Sequence, residues 1–370
     1  MAATSTGKPP FRADHVGSLL RPRELKAAFG DFHKGLIDEA TFRAIQDRCI
    51  RDAVALQEEV GLHSITDGEF RRGSWFLGFI EAVEGLTTKD ALFDFHDASG
   101  GHATFQTAYV AANLKRRPRG ITTGEFAFVR GLTSRTPKVT MPAPSLVHFF
   151  RGEQTVDRSV YPDLDAFWSD LIAIYHAELR ALADLGCTYV QLDEVPCAML
   201  CDPQVRERAT SFGLEPDKLV ETYMRAVDEI AAQRPAGMGI ALHLCRGNYK
   251  GHWMAEGGYE PVAERLFNAK VDTFFLEYDT ARAGGFEPLR LVPSDKAVVL
   301  GLVSSKSAAL ESVDELSRRI DEASRYLPLE RLAISPQCGF ASSVGGNPLT
   351  LDDQRRKLAR VVEVAELVWR

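Results

Sequence analysis

Two patterns of apolar residues alternate along the chain, and together they predict its secondary structure. Short runs rich in β-branched residues are typical of buried parallel strands, whereas apolar residues at every third or fourth position are typical of amphipathic helices. Helix patterns occupy residues 39–60, 164–185, 216–233 and 307–326. Strands are predicted at eight runs, 11–18, 63–67, 138–142, 188–193, 239–243, 273–277, 297–302 and 332–335.

Eight strand–helix alternations predict that the chain closes into an α/β protein of the TIM-type (β/α)₈ barrel class. A length of 370 residues suits one large barrel with insertions. We expect a flexible N-terminal tail at residues 1–9 and a single catalytic barrel over residues 10–370.

One interval, from about residue 75 to 136, breaks the alternation because it is too long for a loop between a strand and a helix. Aromatic residues and glycines punctuate it, which predicts an inserted hairpin or small subdomain after the second strand. Its basic cluster is either a solvated tip or a contact for an anionic part of a substrate. The cluster consists of Lys115, Arg116, Arg117 and Arg119.

The composition favours a small-molecule partner. A net charge of −7 gives no basic surface for nucleic acid or anionic lipid. No apolar run approaches the roughly 20 residues that cross a bilayer, and the N-terminus lacks the apolar segment of a secretion signal, so we expect a cytoplasmic protein without a membrane role. The six cysteines show no paired spacing, and a core of this size needs no disulfides.

His243 and Cys245 are the first candidates for chemistry. Side chains two positions apart on a strand share a face, so this pair can bind a metal as a bidentate clip. A buried cysteine beside a core histidine is the alternative interpretation.

Glu277 and Cys338 strengthen the metal interpretation. Glu277 ends an apolar run, where an unpaired carboxylate would cost several kcal/mol, and Cys338 follows the last predicted strand. With His243 and Cys245 they form a tetrahedral set of two thiolates, one imidazole and one carboxylate, which suits Zn2+. All four stand at carboxyl ends of predicted strands, where barrel enzymes build their active sites.

Further polar residues at strand ends predict a site for an amino acid. Ser18, with backbone N–H groups near Gly17, can hold a carboxylate, whereas Glu69 and Asp193 can hold an ammonium group. The alternatives are that Ser18 caps a helix and that Asp193 pairs with an arginine. Arg71 either orients a substrate carboxylate or forms a structural ion pair.

The chain resembles the cobalamin-independent methionine synthase family, specifically its zinc-bearing catalytic barrel, from about residue 12 to the C-terminus. The resemblance rests on six ordered motifs: His-Val-Gly-Ser, Asp-Gly-Glu, Gln-Leu-Asp-Glu, His-Leu-Cys, Leu-Glu-Tyr-Asp and Pro-Gln-Cys-Gly-Phe. It implies that the zinc ligands are His243, Cys245, Glu277 and Cys338. It implies equally that Ser18, Glu69 and Asp193 contact homocysteine, the small-molecule thiol acceptor that becomes methionine.

Two departures from the family leave the methyl donor open. Full-length members carry an additional N-terminal half that helps to hold a polyglutamated folate, and this chain has no room for it. The family's donor-protonating histidine after the seventh strand is replaced by Leu302-Val303-Ser304-Ser305-Lys306. His15 and Lys306 are candidate substitute acids. The donor is methylfolate or another small molecule, or an accessory protein supplies the methyl group.

The hypothesis from the sequence is a zinc-dependent S-methyltransferase in which the acceptor thiol displaces Glu277 and loses its proton. One alternative is a zinc alkyltransferase for a different thiol, as in barrels that resemble epoxyalkane:coenzyme M transferase. Others are a zinc hydrolase, a metal-free barrel similar to uroporphyrinogen decarboxylase, and a thiol or metal sensor. Coenzyme M has no amino group for Glu69 and Asp193, which favours an amino-acid thiol.

Overall fold

The computed structural model describes residues 7–93, 95–96, 102–103 and 105–370. The strands of this part of the chain are β1 Ser64–Ile65, β2 Val83–Asp90, β3 Phe95–His96, β4 His102–Ala103, β5 Gln106–Arg116, β6 Thr136–Pro137, β7 Val139–Pro142, β8 Tyr189–Glu194, β9 Gly239–Leu244, β10 Thr273–Glu277, β11 Ala297–Val303 and β12 Leu332–Pro336. The α-helices are α1 Arg23–His33, α2 Glu39–Glu59, α3 Leu77–Ala82, α4 Thr123–Arg130, α5 Leu146–Phe149, α6 Leu164–Asp184, α7 Pro196–Met199, α8 Pro203–Ser211, α9 Pro216–Ala232, α10 Glu260–Phe267, α11 Val313–Ser324 and α12 Leu351–Val368.

The predicted TIM-type barrel is confirmed. Strands β7 to β12 form a parallel sheet in chain order; five of the six are buried at every residue, and β9 is buried at all but its first. Such continuous burial is expected where helices cover one face and the barrel interior the other. Side-chain caps mark the start of several helices. Ahead of α2, for example, Asp38 accepts a hydrogen bond from the Thr41 N–H at 2.8 Å.

The first two barrel positions are more irregular than the sequence predicts. Run 11–18 forms a single parallel bridge, between Ala13 and Ile334, and run 63–67 contributes only β1, which pairs with β6. Side-chain hydrogen bonds replace the ladder here, since Ser64 Oγ donates to Asp14 Oδ1 at 2.5 Å. Gly17 bends the chain with a φ of 136°, a value that disrupts regular strand pairing.

The barrel interior holds a buried ion pair as well as apolar side chains. Lys138 Nζ lies 2.9 Å from Asp14 Oδ1, and both side chains are fully buried. Lys138 also donates to the side-chain oxygen of Gln191 at 3.3 Å, and Gln191 in turn donates to Asp193 at 2.7 Å. A polar chain therefore runs from the middle of the barrel to the end of β8.

The insertion after the second strand is a hairpin, as predicted. β2 and β5 pair antiparallel from Val83 opposite Arg116 to Asp90 opposite Gln106, and β3 pairs with β4. At the end of the hairpin where Asp90 pairs with Gln106, Phe105 packs edge-on against Phe150, with ring centroids 5.0 Å apart. Arg116 forms an ion pair with the buried Glu178 at 2.6 Å, whereas Lys115, Arg117 and Arg119 are exposed. Most of the basic cluster is therefore solvated, but it lies where β5 pairs with the start of β2 and not at a tip.

The predicted tail, residues 1–9, lies partly outside the described residues, which begin at Gly7. Gly7 and Pro9 are buried, and a Cβ on Gly7 would meet the carbonyl oxygen of Ser294 at 2.4 Å. The domain limits themselves stay a prediction. Within the described ranges, no helix has the length and apolar character that crossing a bilayer requires.

Candidate active site

Three side chains meet at the carboxyl ends of the strands. His243 lies in β9, Cys245 follows that strand directly, and Cys338 follows β12. Their ligand atoms all lie within 4.8 Å of one another, and the sulfurs of Cys245 and Cys338 are 3.3 Å apart. All three residues are buried, so the cluster is withdrawn from bulk water.

The chemistry of this cluster fits a metal ion. Neither ring nitrogen of the buried His243 has a hydrogen-bond partner of good geometry, a state that is rare for a buried imidazole. The Cys245 thiol donates a hydrogen bond that lowers the pKa of Cys338 well below its ordinary value, while the same contact raises the pKa of Cys245. Two thiolates and an imidazole are the ligands that Zn2+ prefers.

Glu277, predicted as the fourth ligand, lies outside this three-residue cluster. Its Oε1 is 2.5 Å from Arg282 and 3.4 Å from Lys306, and its Oε2 accepts the Arg246 N–H at 3.0 Å. Burial alone would raise the pKa of Glu277, but the positive charges of Lys306, Arg246 and Arg282 hold it below its ordinary value. Its carboxylate is therefore ionised and held at the end of β10.

One cavity of about 400 Å³ contains the cluster together with the predicted amino-acid contacts. Ser18, Glu69 and Asp193 line the same cavity as His243, Cys245 and Cys338. Its described lining also includes apolar and aromatic side chains. These are Val16, Trp75, Phe76, Leu77, Phe105, Leu146, Phe150, Val195, Tyr249 and Met254.

Glu69 points a free carboxylate oxygen into this environment. The backbone turns sharply here, with Gly68 at φ 67° and Glu69 itself at φ 60°. A positive φ is uncommon for a residue with a side chain. Glu69 Oε1 accepts from Thr140 Oγ1 at 2.8 Å and lies 3.6 Å from Arg72, whereas Oε2 is buried without a hydrogen-bond partner. Burial raises the pKa of Glu69.

Asp193 is the second acidic side chain in the cavity. Gln191 Nε2 donates to Asp193 Oδ1 at 2.7 Å and to the carbonyl of Val16, which fixes the carboxyl group at the end of β8. Burial, together with the carboxylate of Glu69, raises the pKa of Asp193 to about 7. A cationic ligand group would stabilise the ionised forms of both acids.

Ser18 lies where the first segment meets the loop after β12. Its carbonyl accepts from Phe340 N at 2.9 Å, and its hydroxyl accepts from Ala341 N at 3.4 Å. A Cβ on Gly339 would come within 1.9 Å of Ser18 Oγ, so the glycine makes room for the hydroxyl. Gly17 does not line the cavity; its would-be Cβ faces the Thr140 side chain at 2.6 Å.

The structure does not bring three other predicted residues into the cavity. The His15 ring lies 3.2 Å from the Ser64 carbonyl inside the barrel, and burial together with Lys138 lowers its pKa to about 4. Arg71 pairs with Asp47 at 2.6 Å, which is the structural ion pair left open above. Lys306 Nζ lies 3.4 Å from Glu277 Oε1 and does not line the cavity; burial would lower the pKa of Lys306, but Glu277 raises it above its ordinary value.

The sequence reasoning missed the aromatic lining and Asn248. Asn248 donates to the Gly339 carbonyl at 2.8 Å, and its buried Oδ1 has no partner. Its position three residues after Cys245 in one motif was an available signal. Trp75, Phe76 and Phe105 gave none, because their approach to the cavity depends on how the insertion folds back.

Comparison with known proteins gives a consistent assignment. The profile of the family described as cobalamin-independent synthase, catalytic domain, matches residues 11–367. The uncharacterised protein YxjG of Bacillus subtilis is 39% identical over 381 residues, 98% of this chain and 96% of that protein. A methionine synthase of Pyrococcus abyssi is 29% identical over 95% of this chain and 91% of its own length.

A solved structure agrees with these sequence relatives. A Listeria monocytogenes protein assigned as a vitamin-B12-independent methionine synthase superposes with a TM-score of 0.76 at 32% identity, covering 98% of this chain and 99% of that one. The B12-independent methionine synthase from Shewanella sp. W3-18-1, at 18% identity and a TM-score of 0.70, shows the same fold. The chain therefore belongs to the cobalamin-independent methionine synthase family, a family of methyltransferases.

Proposed function

We propose that this chain is a zinc-dependent S-methyltransferase that activates the thiol of homocysteine for methylation to methionine. The observation that carries the proposal is the convergence, in one cavity, of a soft metal-binding cluster with an unpaired carboxylate. The cluster is His243, Cys245 and Cys338, and the carboxylate oxygen is Oε2 of Glu69. The solved Shewanella relative, described as a complex with selenomethionine, supports an amino-acid ligand of this kind.

Zinc would be held by His243, Cys245 and Cys338, and bound zinc supplies a lower pKa for a thiol, which makes the sulfur nucleophilic at neutral pH. Glu277 is the candidate fourth ligand. Its present partners, Arg282, Lys306 and the Arg246 N–H, would stabilise its carboxylate whenever the acceptor sulfur occupies its place. A carboxylate ligand that has alternative ionic partners can be replaced on a metal ion by a thiolate at low cost.

The other residues of the cavity orient the amino acid. Glu69 and Asp193 receive its ammonium group, and Asn248 Oδ1 offers a further buried acceptor. Ser18 and the turn of backbone near it receive the carboxylate. Holding both ends of the amino acid fixes the thiol beside the cysteine pair, and such fixed geometry supplies much of the rate advantage of an enzyme.

The cavity favours an amino-acid thiol over coenzyme M. The anionic group of either thiol would lie near Ser18, and the described lining of the cavity adds no arginine or lysine that would favour a sulfonate over a carboxylate. It contains two carboxyl groups that coenzyme M would leave unpaired. Buried unpaired charges of this kind cost several kcal/mol.

Cobalt substitution tests the proposal without a methyl donor, because a thiolate bound to Co2+ absorbs in the near ultraviolet. Homocysteine should increase this absorption at one equivalent per chain, whereas coenzyme M should need a concentration about a hundredfold higher, since it lacks the amine. Cys245→Ser and Cys338→Ser should lose stoichiometric metal while keeping the barrel, whose core does not include the metal.

Cys201→Ser is the matched control, since Cys201 is also buried but lies outside the cluster. It should bind metal and homocysteine like the parent chain. Full metal content in both Cys245→Ser and Cys338→Ser, or homocysteine binding that leaves the cobalt spectrum unchanged, would refute the proposal.

A further inference from the structure

The cavity has an aromatic wall that the binding of homocysteine does not use. We call this wall the aromatic roof and define it by Trp75, Phe76, Phe105 and Phe150. Trp75 and Phe76 pack edge to face with centroids 5.5 Å apart, and Phe105 packs on Phe150 at 5.0 Å. The backbone N–H of Trp75 donates to the Ser342 carbonyl at 2.9 Å, and this bond holds the segment that carries Trp75 in place.

Outside the metal-binding cluster, the side chains of the cavity lining that can carry a full charge are carboxyl groups. Glu69 and Asp193 line the cavity, and no arginine or lysine does so among the described residues. The nearby Arg72 is engaged by Glu125 at 2.5 Å, and Lys306 faces Glu277 at 3.4 Å. A donor with an anionic tail would therefore meet carboxylates instead of compensating cations.

Apart from Glu69 and Asp193, which receive the ammonium group of homocysteine, the described lining offers no carboxyl group, histidine or lysine that is free to protonate the donor. His243 is the one histidine there, and it belongs to the metal-binding cluster. The candidate acids His15 and Lys306 do not line the cavity. A methyl group on a pterin nitrogen transfers poorly unless that nitrogen is protonated, so these surroundings suit a donor that departs as a neutral molecule.

From the aromatic roof, the acidic lining and the missing acid, we propose that the methyl donor is a small methyl sulfonium compound bound against the roof. This inference rests on the proposed function. Cations are attracted to the faces of tryptophan and phenylalanine rings, most strongly when water is excluded. The methyl group would lie between the roof and the thiol held at the cluster.

The reaction balances without a further reagent. The homocysteine thiol loses its proton to solvent on binding, and its sulfur then forms a bond to the donor's methyl carbon. The bond between that carbon and the sulfonium sulfur breaks, and its electron pair stays on the sulfur. The products are methionine and a neutral thioether, so no proton has to be delivered to the leaving group.

Trimethylsulfonium with deuterated methyl groups is a direct probe for the zinc-loaded, homocysteine-saturated protein. Calorimetry should show one saturable site per chain, and mass spectrometry should find labelled methionine. Trp75→Leu should weaken trimethylsulfonium binding about tenfold or more, whereas Trp75→Phe should restore part of it. Homocysteine binding to these variants, measured by the cobalt absorption, should stay unchanged.

Phe32→Leu is the matched control, because Phe32 is an exposed aromatic residue on α1, outside the cavity. Tetramethylammonium should compete with trimethylsulfonium without yielding methionine, since an amine is the poorer leaving group; failure to compete would overturn recognition of the cation by the roof. Labelled methionine from a methylpterin but not from the sulfonium would overturn the proposal and leave the proposed function intact. Failure of homocysteine to bind would refute both.

Discussion

At the scale of single residues, the account depends on carboxyl groups that are buried without a full set of partners. Burial alone should drive such groups toward their neutral forms, in which they carry no charge. A bound cationic ligand would favour their ionised forms instead. Asp193 has one fixed contact, to Gln191, and its pKa is raised to about 7 by burial and by Glu69. These properties are expected of a receptor for an ammonium group.

Asp193→Asn should weaken homocysteine binding about thirtyfold, because an amide removes the charge that pairs with the ammonium group in a desolvated site. Binding of 4-mercaptobutyrate, which is homocysteine without its amino group, should change less than threefold. Calorimetric titration of the zinc-loaded protein measures both affinities. Asp52→Asn, at an exposed position on α2, is the control. Equal losses for the two ligands would mean that Asp193 does not receive the amine.

At the scale of elements, the site depends on the close packing of the loop after β12 against the first segment of the chain. Gly339 leaves the space that the Ser18 hydroxyl occupies, and one backbone hydrogen bond joins Phe340 to Ser18. Strand ends bring the cluster together, but this loop fixes the position of the predicted carboxylate contact.

Gly339→Ala should weaken homocysteine binding by about tenfold while leaving zinc bound, since the added methyl would stand 1.9 Å from Ser18 Oγ and force it aside. Zinc analysis and calorimetry on the same sample separate the two effects. Gly124→Ala is the control, because a Cβ there meets nothing within 4 Å and a helix gains up to about 1 kcal/mol from the exchange. Unchanged affinity in Gly339→Ala would show that the Ser18 position is irrelevant.

The regularity of each element decides how well the sequence predicts it. The strands from residue 139 onward are mainly apolar runs, and their carboxyl ends place His243, Cys245 and Cys338 together because parallel strands share one direction. The first barrel position is irregular because Asp14 and Ser64 satisfy each other through side chains, a pairing without a sequence signature. Arg71 and Trp75 depend on long-range packing, so their directions could not be predicted from local pattern.

At the scale of the whole molecule, the barrel buries ionisable groups that link its stability to pH. His148 is buried beside Tyr223, whose hydroxyl lies 2.9 Å from Nδ1. Burial, with a smaller contribution from Arg158, lowers the pKa of His148 to about 4. Between about pH 6.5 and pH 4 the unfolded chain therefore binds a proton at this residue that the folded chain does not.

The free energy of unfolding of the parent chain should accordingly fall relative to that of His148→Gln as the pH is lowered from 7 to 4. The relative loss should reach up to about 3 kcal/mol, from the difference between the two pKa values. Comparing the variants cancels the opposing effect of buried acids such as Glu194, whose pKa is raised to about 7 by burial. Urea titrations across this range make the measurement. His33→Gln, at an exposed histidine, is the control, and parallel pH profiles would contradict the assignment.

The central claim is that the acceptor sulfur joins a zinc site built from His243, Cys245 and Cys338. Zinc-edge X-ray absorption of the purified protein, with and without homocysteine, tests it most directly. The account predicts two sulfur neighbours and one imidazole in the free protein, with a third sulfur replacing an oxygen neighbour when homocysteine is added. An unchanged zinc environment on saturation with homocysteine, or a protein that binds no zinc, would contradict it.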